Sequence, residues 1–257
     1  MLKIFIAVLF MGFTLNAADP WINIILYHRV VPKTVGAYDV TVEDFEKQME
    51  YLKESYDVIS LSDAVDCIRQ VKPLKNKSVV ITFDDGDVSI YNNAFPVLKK
   101  FRFPFSVFIY TNVVQEGPHA MKWSHMKQLL DYGAEIGSHS VSHSNLQRRL
   151  KDESDEQYLA RLRHELVDSK NLLESSLGVP VRYFAYPYGR YNRTVKEEAV
   201  KAGYEAILTV RGYENFPGDD LMRLNRRIVE KSTTPESFIK TFTVQQRESL
   251  KDGDKDF

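Results

Sequence analysis

Short apolar runs of strand character alternate with helical patterns along almost the whole chain, and this alternation limits the fold more than any other feature. Residues 21–27 (WINIILY) read as a buried strand. Further strands are expected at 57–60, 79–83, 105–110, 134–136, 182–185, 205–210 and 226–229. Between them lie helices. Thr41 is placed as an N-cap before Val42-Glu43-Asp44, and Phe45, Met49 and Leu52 follow at helical spacing. Other helices are expected from Leu61, over about 91–101, over 123–132 up to Gly133, over about 154–177 up to Gly178 and Pro180, over about 193–202 up to Gly203, and over 235–242. Strands that alternate with helices imply a parallel sheet covered by helices. A chain of 257 residues, 44% hydrophobic and 27% charged, suits one α/β domain. No internal repeat or linker interrupts it.

The formal net charge of -1 offers no bulk attraction to nucleic acid or to an acidic membrane surface. One cysteine, Cys67, excludes an intramolecular disulfide framework. Met1-Leu2-Lys3 followed by an apolar stretch over 4–15, with Ala17 and Ala18 behind it, has the form of a secretory signal over 1–18; an uncleaved N-terminal anchor is the alternative. The stretch is too short for a comfortable membrane span, and no other membrane insertion is expected. Either reading puts the domain, 19–244, in the periplasm or outside the cell, followed by a polar tail over 245–257.

Two motifs stand at strand ends. Thr82-Phe83-Asp84-Asp85-Gly86 ends one apolar strand, and His139-Ser140-Val141-Ser142-His143 follows another. Two carboxylates and two imidazoles suit a divalent metal with three protein ligands, with one carboxylate left to act as a base. A structural zinc site would close its fourth position with protein, whereas an open site activates water. Each motif alone has a plainer reading: Asp-Gly favours turns, and HxxxH occurs in solvated loops. Spacing i, i+4 would put both rings on one face of a helical turn. Nitrogen and oxygen donors suit zinc, and also cobalt, nickel or iron. His28, at the end of the first strand, is either a hydrogen-bonded rim histidine or a general acid. Tyr186-Pro187-Tyr188-Gly189 is a strand-ending turn whose aromatic rings suit a sugar face and whose backbone N–H suits an oxyanion. Trp123, Tyr110 and Tyr191 read as packing, and His119, His125 and His164 receive no role. A (β/α) barrel collects strand ends on one rim; an open doubly wound sheet would spread them.

TFDDG, HSVSH and FAYPYG in this order closely resemble the polysaccharide deacetylases of carbohydrate esterase family 4, from about Asn23 to Phe242. The resemblance implies a distorted (β/α)7 barrel and metal-dependent removal of acetyl groups from N-acetylated sugars. It implies Asp84 as catalytic base, Asp85, His139 and His143 as metal ligands, and the Tyr188 N–H as an oxyanion donor, with Pro187 and Tyr186 in the same segment. The cofactor would be one divalent ion, zinc first. Members usually carry a Leu-x-His motif near the end that supplies the general acid, but no histidine follows His164 here. One branch carries it near the N-terminus on a circularly permuted strand, which Ile25-Leu26-Tyr27-His28 resembles, so the acid role falls to His28. That branch includes exported deacetylases of poly-β-1,6-N-acetylglucosamine in biofilm systems. Ala185 stands where many members have an arginine that orients the base. Arg182, Arg193 and Arg226 are the substitutes, and the sequence does not choose among them. The fourth family motif, an Asp next to Trp, has no clear match after Gly203. The expected partner is an acetylated polysaccharide, with β-1,6-linked polymer ahead of peptidoglycan or chitin oligomers; a silent glycan-binding protein is the non-enzymatic alternative. The sequence assigns no oligomeric state.

Overall fold

The computed structural model describes residues 20–243. The expected signal segment and the polar tail lie outside the described residues. The strands are β1 (Ile22–Tyr27), β2 (Arg29–Val31), β3 (Asp39–Thr41), β4 (Asp57–Val58), β5 (Ser78–Phe83), β6 (Ser106–Ile109), β7 (Glu135–Ser138), β8 (Tyr183–Ala185), β9 (Ala206–Leu208) and β10 (Arg226–Ile228). The α-helices are α1 (Val42–Ser55), α2 (Leu61–Ile68), α3 (Phe95–Phe101), α4 (Trp123–Tyr132), α5 (Asp155–Arg163), α6 (Ser169–Leu177), α7 (Arg193–Lys201) and α8 (Pro235–Thr243).

Seven strands run parallel in the order β10-β1-β5-β6-β7-β8-β9. β4 adds to the first half of β5, pairing Asp57 with Ser78 and Val58 with Val79. β9 approaches the start of β10 through a parallel bridge between Leu208 and Leu224, which nearly closes the barrel. Amides of Thr209 and Leu224 donate across that seam to Leu224 O and Ile207 O, at 2.7 and 2.8 Å. The barrel is irregular where β7 meets β8, which share one register pair, Ser138 with Phe184. This is the distorted seven-stranded (β/α) barrel expected from the sequence.

Side-chain alternation along each strand separates two apolar layers. Ile25 and Tyr27, Val79, Ile81 and Phe83, and Val107 and Ile109 face outward. They pack with Phe45, Met49 and Leu52 of α1 in the larger cluster. Ile22, Ile24, Val80, Phe108, Ala185, Ala206 and Leu208 face inward and pack with Leu61, Ala64, Val65 and Ile68 of α2. α2 thereby plugs the N-terminal end of the barrel. Its first amides, Leu61 N and Ser62 N, donate to the Glu135 carboxylate at the start of β7, at 3.0 and 3.1 Å. With that end filled by hydrocarbon, the polar interior positions are left at the C-terminal end.

α1 begins as its sequence requires: the Thr41 hydroxyl accepts from Asp44 N at 3.0 Å, a cap worth about 1 kcal/mol. α4 ends at Gly133 and α6 at Gly178, both left-handed. Two expected helices contain π-helical turns, Ile90–Ala94 ahead of α3 and His164–Asp168 between α5 and α6. β2 and β3 form a small parallel sheet of their own that the sequence reading lacked. Three-residue strands are too short to display a period.

Candidate active site

Period two carries the inward face of β1 from Ile24 through Leu26 to His28, and that of β5 from Val80 through Thr82 to Asp84. Asp84 is buried. Its carboxylate receives a bidentate pair from Arg226, Nη1 to Oδ1 at 2.8 Å and Nη2 to Oδ2 at 2.7 Å. Arg226 is itself 0% exposed, and it also donates Nε–H to Thr209 O at 3.0 Å. Its guanidinium lies 5.5 Å from the centre of the Phe108 ring inside the barrel. Burial pushes the Asp84 carboxyl up, but Arg226 and His139 outweigh it and hold the group at about 2.

Of the three arginines left open by the sequence, Arg226 is the one on the base. Arg182 pairs with Glu205 at 2.7 Å, and Arg193 pairs with Glu197 at 2.8 Å on the outer surface of α7.

Asp85 leaves the strand with a left-handed backbone, φ 74°, and so points away from its neighbour. Its Oδ1 lies 3.4 Å from His143 Nε2 and 3.7 Å from His139 Nε2. One ligand atom from each of Asp85, His139 and His143 lies within 4.8 Å of the others. Four observations fit this set to a cation. Asp85 Oδ1 is buried and finds no hydrogen-bond partner among the described residues. His139 Nδ1 contacts Ala185 O at 2.7 Å, so with Nδ1–H donating, the lone pair of Nε2 turns toward Asp85. Burial and the Asp84 charge push the Asp85 carboxyl up to about 6, a cost that a bound cation reverses. Burial likewise holds the His139 imidazole down at about 4, in the neutral form a ligand requires.

The two histidines converge by a route other than a helical turn. Residues 139–143 form an irregular loop in which Ser140 (φ 76°) and His143 (φ 58°) are left-handed. The buried Glu165 carboxylate replaces helical hydrogen bonds: it accepts Val141 N and Ser142 N at 2.9 Å each and the Ser142 hydroxyl at 2.5 Å. Ser140 Oγ accepts His143 N at 3.0 Å. Glu165 belongs to the π-helical turn between α5 and α6, an irregularity frequent beside functional sites. The sequence names Arg226 only as one of three candidate arginines and does not point to Glu165 as a site residue. The available signal for Arg226 is its place in an expected strand, 226–229; Glu165 stands inside an expected helix and carries none.

His28 stands beside this group. Burial lowers its pKa, Asp84 and Asp85 raise it, and Arg226 and His143 lower it further. The turn Pro187–Gly189 brings Tyr188 to the rim, 57% exposed, with its ring 4.6 Å from that of His143. Tyr188 is left-handed, φ 59°. Gly189 follows at φ 66°, where a Cβ would come within 2.2 Å of Val210 Cγ2. Pro187 is buried in the same turn. Tyr186 belongs elsewhere: alternation turns it outward from Ala185, and its fully buried ring stacks on Tyr191 at 4.7 Å. Its side chain is part of the core and is not offered to a ligand at the rim. Tyr110 lies nearer the site than an edge-packing role implies, its ring 5.4 Å from His143. His125 stacks on Tyr91 at 4.3 Å, and His164 pairs with Asp168 at 2.7 Å, both away from the cluster.

The sequence matches the family described as polysaccharide deacetylase over residues 71–207, more than half of the chain. The chain belongs to the polysaccharide deacetylase family. Among curated relatives, YxkH of Bacillus subtilis is 28% identical over 187 residues, covering 72% of this chain and 63% of that protein. The poly-β-1,6-N-acetyl-D-glucosamine N-deacetylase of Staphylococcus aureus is 29% identical over 195 residues, covering 72% of this chain and 67% of that one. This deacetylase-family chain therefore spans under two thirds of the length of the first relative and about two thirds of the second. Among solved structures, IcaB from Ammonifex degensii superposes with a TM-score of 0.76 at 28% identity over 87% of this chain and 96% of that one. The Streptococcus pyogenes deacetylase PplD shares the fold, with a TM-score of 0.77 at 24% identity over 87% and 98% of the two chains. The family match contains Asp84, Asp85, His139, His143 and Tyr188, and leaves His28 and Arg226 outside it.

Proposed function

We propose that the protein is a metal-dependent N-deacetylase of an N-acetylglucosamine-containing polysaccharide, with poly-β-1,6-N-acetylglucosamine as the favoured polymer. One observation carries the reading: a carboxylate held ionised by a buried arginine, Asp84 with Arg226 at 2.7 and 2.8 Å, stands beside a separate three-donor cation site. A glycan-binding groove has no use for that division of labour. The polymer preference rests on the named relatives and on an acid residue supplied from the N-terminal strand.

Asp85, His139 and His143 would hold the ion, zinc first among the divalent metals that suit two imidazoles and a carboxylate. When bound, it supplies Lewis-acid polarisation of the acetyl carbonyl and activation of water. Asp84 takes a proton from the attacking water as the oxygen–carbon bond forms. Arg226 keeps Asp84 deprotonated and fixes the plane of its carboxylate. The backbone N–H of Tyr188 is the donor assigned to the developing oxyanion. His28 gives its proton to the sugar nitrogen as the carbon–nitrogen bond breaks. The products are acetate and a glucosamine unit that is cationic at neutral pH, so a neutral polymer acquires positive charge. Such a polymer lies outside the cytosol, in keeping with the export signal read over 1–18.

The test is acetate release by the purified protein from β-1,6- and β-1,4-linked N-acetylglucosamine oligomers and peptidoglycan fragments, before and after chelation and with zinc or cobalt restored. Release from the β-1,6 oligomer that stops on chelation and returns with metal is the expected result. Turnover that survives chelation removes the metal from the reaction, and release from only a β-1,4 substrate moves the polymer to chitin or peptidoglycan. Asp84→Asn should retain metal and lose turnover; appreciable activity in that variant removes Asp84 from the base role.

A further inference from the structure

A histidine that acts as a general acid must present one ring nitrogen to the leaving group, and proteins usually fix the ring by a hydrogen bond at the other nitrogen. His28 lacks that device: its Nδ1 is buried and has no hydrogen-bond partner among the described residues. Among the described residues the nearest carboxylate in sequence, Asp39, is already saturated. It is buried, and it accepts from Arg29 Nε at 2.7 Å and from the amides of Val35 and Gly36 at 2.7 Å each, beside an ion pair to Arg29 Nη2 at 2.5 Å.

What holds the ring instead is a face. The Tyr38 ring lies against His28 with centroids 4.8 Å apart and planes inclined by 31°. Tyr38 is 49% exposed, so it covers the imidazole on the solvent side without joining the core. The face is rigidly placed although it sits in a loop. Asp39, its neighbour, ties the loop as above and pairs with Arg29 at the start of the β2–β3 sheet. Ala37, on its other side, accepts Lys231 N at 2.8 Å. β2 is fastened to the barrel by Asn93 Nδ2 donating to Val30 O at 2.7 Å and by Val30 N donating to Ser89 Oγ at 3.3 Å. The small sheet absent from the sequence reading is therefore a bracket that carries one aromatic ring to the acid side of the site.

We propose that Tyr38 is a positioning residue for the general acid: its ring, fixed by the β2–β3 bracket, sets the orientation of the His28 imidazole in place of the missing hydrogen bond at Nδ1. The inference rests on His28 as the acid of the proposed reaction. An electron-rich ring face also suits an imidazolium, the form that His28 must take before each proton delivery.

The test exploits leaving groups. An amine leaves from the tetrahedral stage only when protonated, whereas the phenolate of 4-nitrophenyl acetate leaves without a proton. The metal-loaded full chain is assayed on an N-acetylglucosamine oligomer and on 4-nitrophenyl acetate as wild type, Tyr38→Phe, Tyr38→Leu, Tyr38→Ala and His28→Asn. General acid–base catalysis contributes about 10²–10⁴-fold. Loss of ring placement is expected to lower amide kcat by about tenfold or more in Tyr38→Ala and Tyr38→Leu, with a fall below about threefold on the ester, and Tyr38→Phe should restore the amide rate to within about twofold. In the metal-free protein, NMR should show the His28 ring protons shifted upfield by the Tyr38 ring, a shift that Tyr38→Phe keeps and Tyr38→Ala abolishes. Equal losses on both substrates, or none on the amide in Tyr38→Ala, overturn the proposal. His28→Asn separates the two layers: if that variant shows no selective loss on the amide, it is the acid role of His28 that fails.

Discussion

Replacing Arg226 by Met keeps most of the side-chain volume and removes the charge that faces Asp84. The structure sets the size of the effect. Asp84 is held at about 2 against an ordinary 3.8, a difference worth about 2.5 kcal/mol at 1.36 kcal/mol per pH unit. The folded value is depressed, so this stability is fully present above about pH 4 and is lost as pH falls through about 2. Arg226 is 0% exposed and also bonds Thr209 O. Its loss therefore strands a buried carboxylate and a buried carbonyl, a change that costs about 3–5 kcal/mol. With a urea slope near 3 kcal/mol/M for a domain of this size, the unfolding midpoint at pH 7 should fall by about 1–1.7 M. The assay is urea denaturation of chelated protein, so that metal binding does not contribute. Four proteins form a cycle: wild type, Arg226→Met, Asp84→Asn and the double variant. Each single change leaves one buried partner alone, and the double change removes both, so a coupling of at least about 2 kcal/mol is expected. Single effects that simply add, or an Arg226→Met midpoint equal to wild type, would refute the reasoning. Arg226→Lys, which keeps charge without the two-pronged geometry, should fall between the extremes in both stability and turnover.

The His139 imidazole is held at about 4 by burial while the unfolded chain protonates near 6.5, so stability of the metal-free protein should be complete above about pH 6.5 and fall by up to about 1.4 kcal/mol per unit down to about pH 4. Urea midpoints at pH 7 and 4.5 should therefore converge in His139→Gln relative to wild type, and an unchanged difference would contradict the burial argument. Glu165→Ala releases the amides of Val141 and Ser142 and should weaken zinc binding by about 10–100-fold by calorimetry, as loss of a supporting partner does; wild-type affinity would mean that the loop holds its shape alone. Gly189→Ala drives a methyl group into Val210 at a left-handed position, a combined cost of about 3 kcal/mol that should lower Tm by about 6–12 °C.

The parts of the site that the sequence disclosed were those attached to regular elements. Asp84 and Asp85 end a strand of unbroken apolar character, and the strand–helix alternation puts every such end on one rim. The parts it did not disclose depend on contacts between distant segments. The HxxxH spacing pointed to a helical turn, but the loop takes left-handed values at Ser140 and His143 because Glu165, more than twenty residues on, supplies the acceptors. Tyr186 and Tyr188 are two residues apart, and a regular strand would show both on one face; the left-handed turn at Tyr188 sends one ring to the rim and leaves the other in the core. Arg226 and Arg227 are adjacent and chemically alike, and only strand parity decides that the first enters the barrel while the second pairs with Glu214.

The same parity explains how the two ends of the chain complete the set of reacting groups. β1 lies between β5 and β10, in register with both: Ile24 pairs with Val80 on one side and with Arg226 on the other. The first and last strands of the barrel therefore lie side by side next to β5, on one side of Asp84. They bring an imidazole and a guanidinium to it from opposite ends of the sequence, both outside the matched span of 71–207. Asp84 needs a cation that is always charged to hold it ionised, and the proposed reaction needs a second group able to give up a proton. An arginine meets the first demand and fails the second, while a histidine does the reverse. Neither residue can replace the other, so the two terminal strands must both be seated for the site to work. The seam between β9 and β10, closed by the Leu208–Leu224 bridge, is consequently part of the site's support, because Thr209 O beyond β9 accepts the Arg226 Nε–H whose guanidinium grips Asp84.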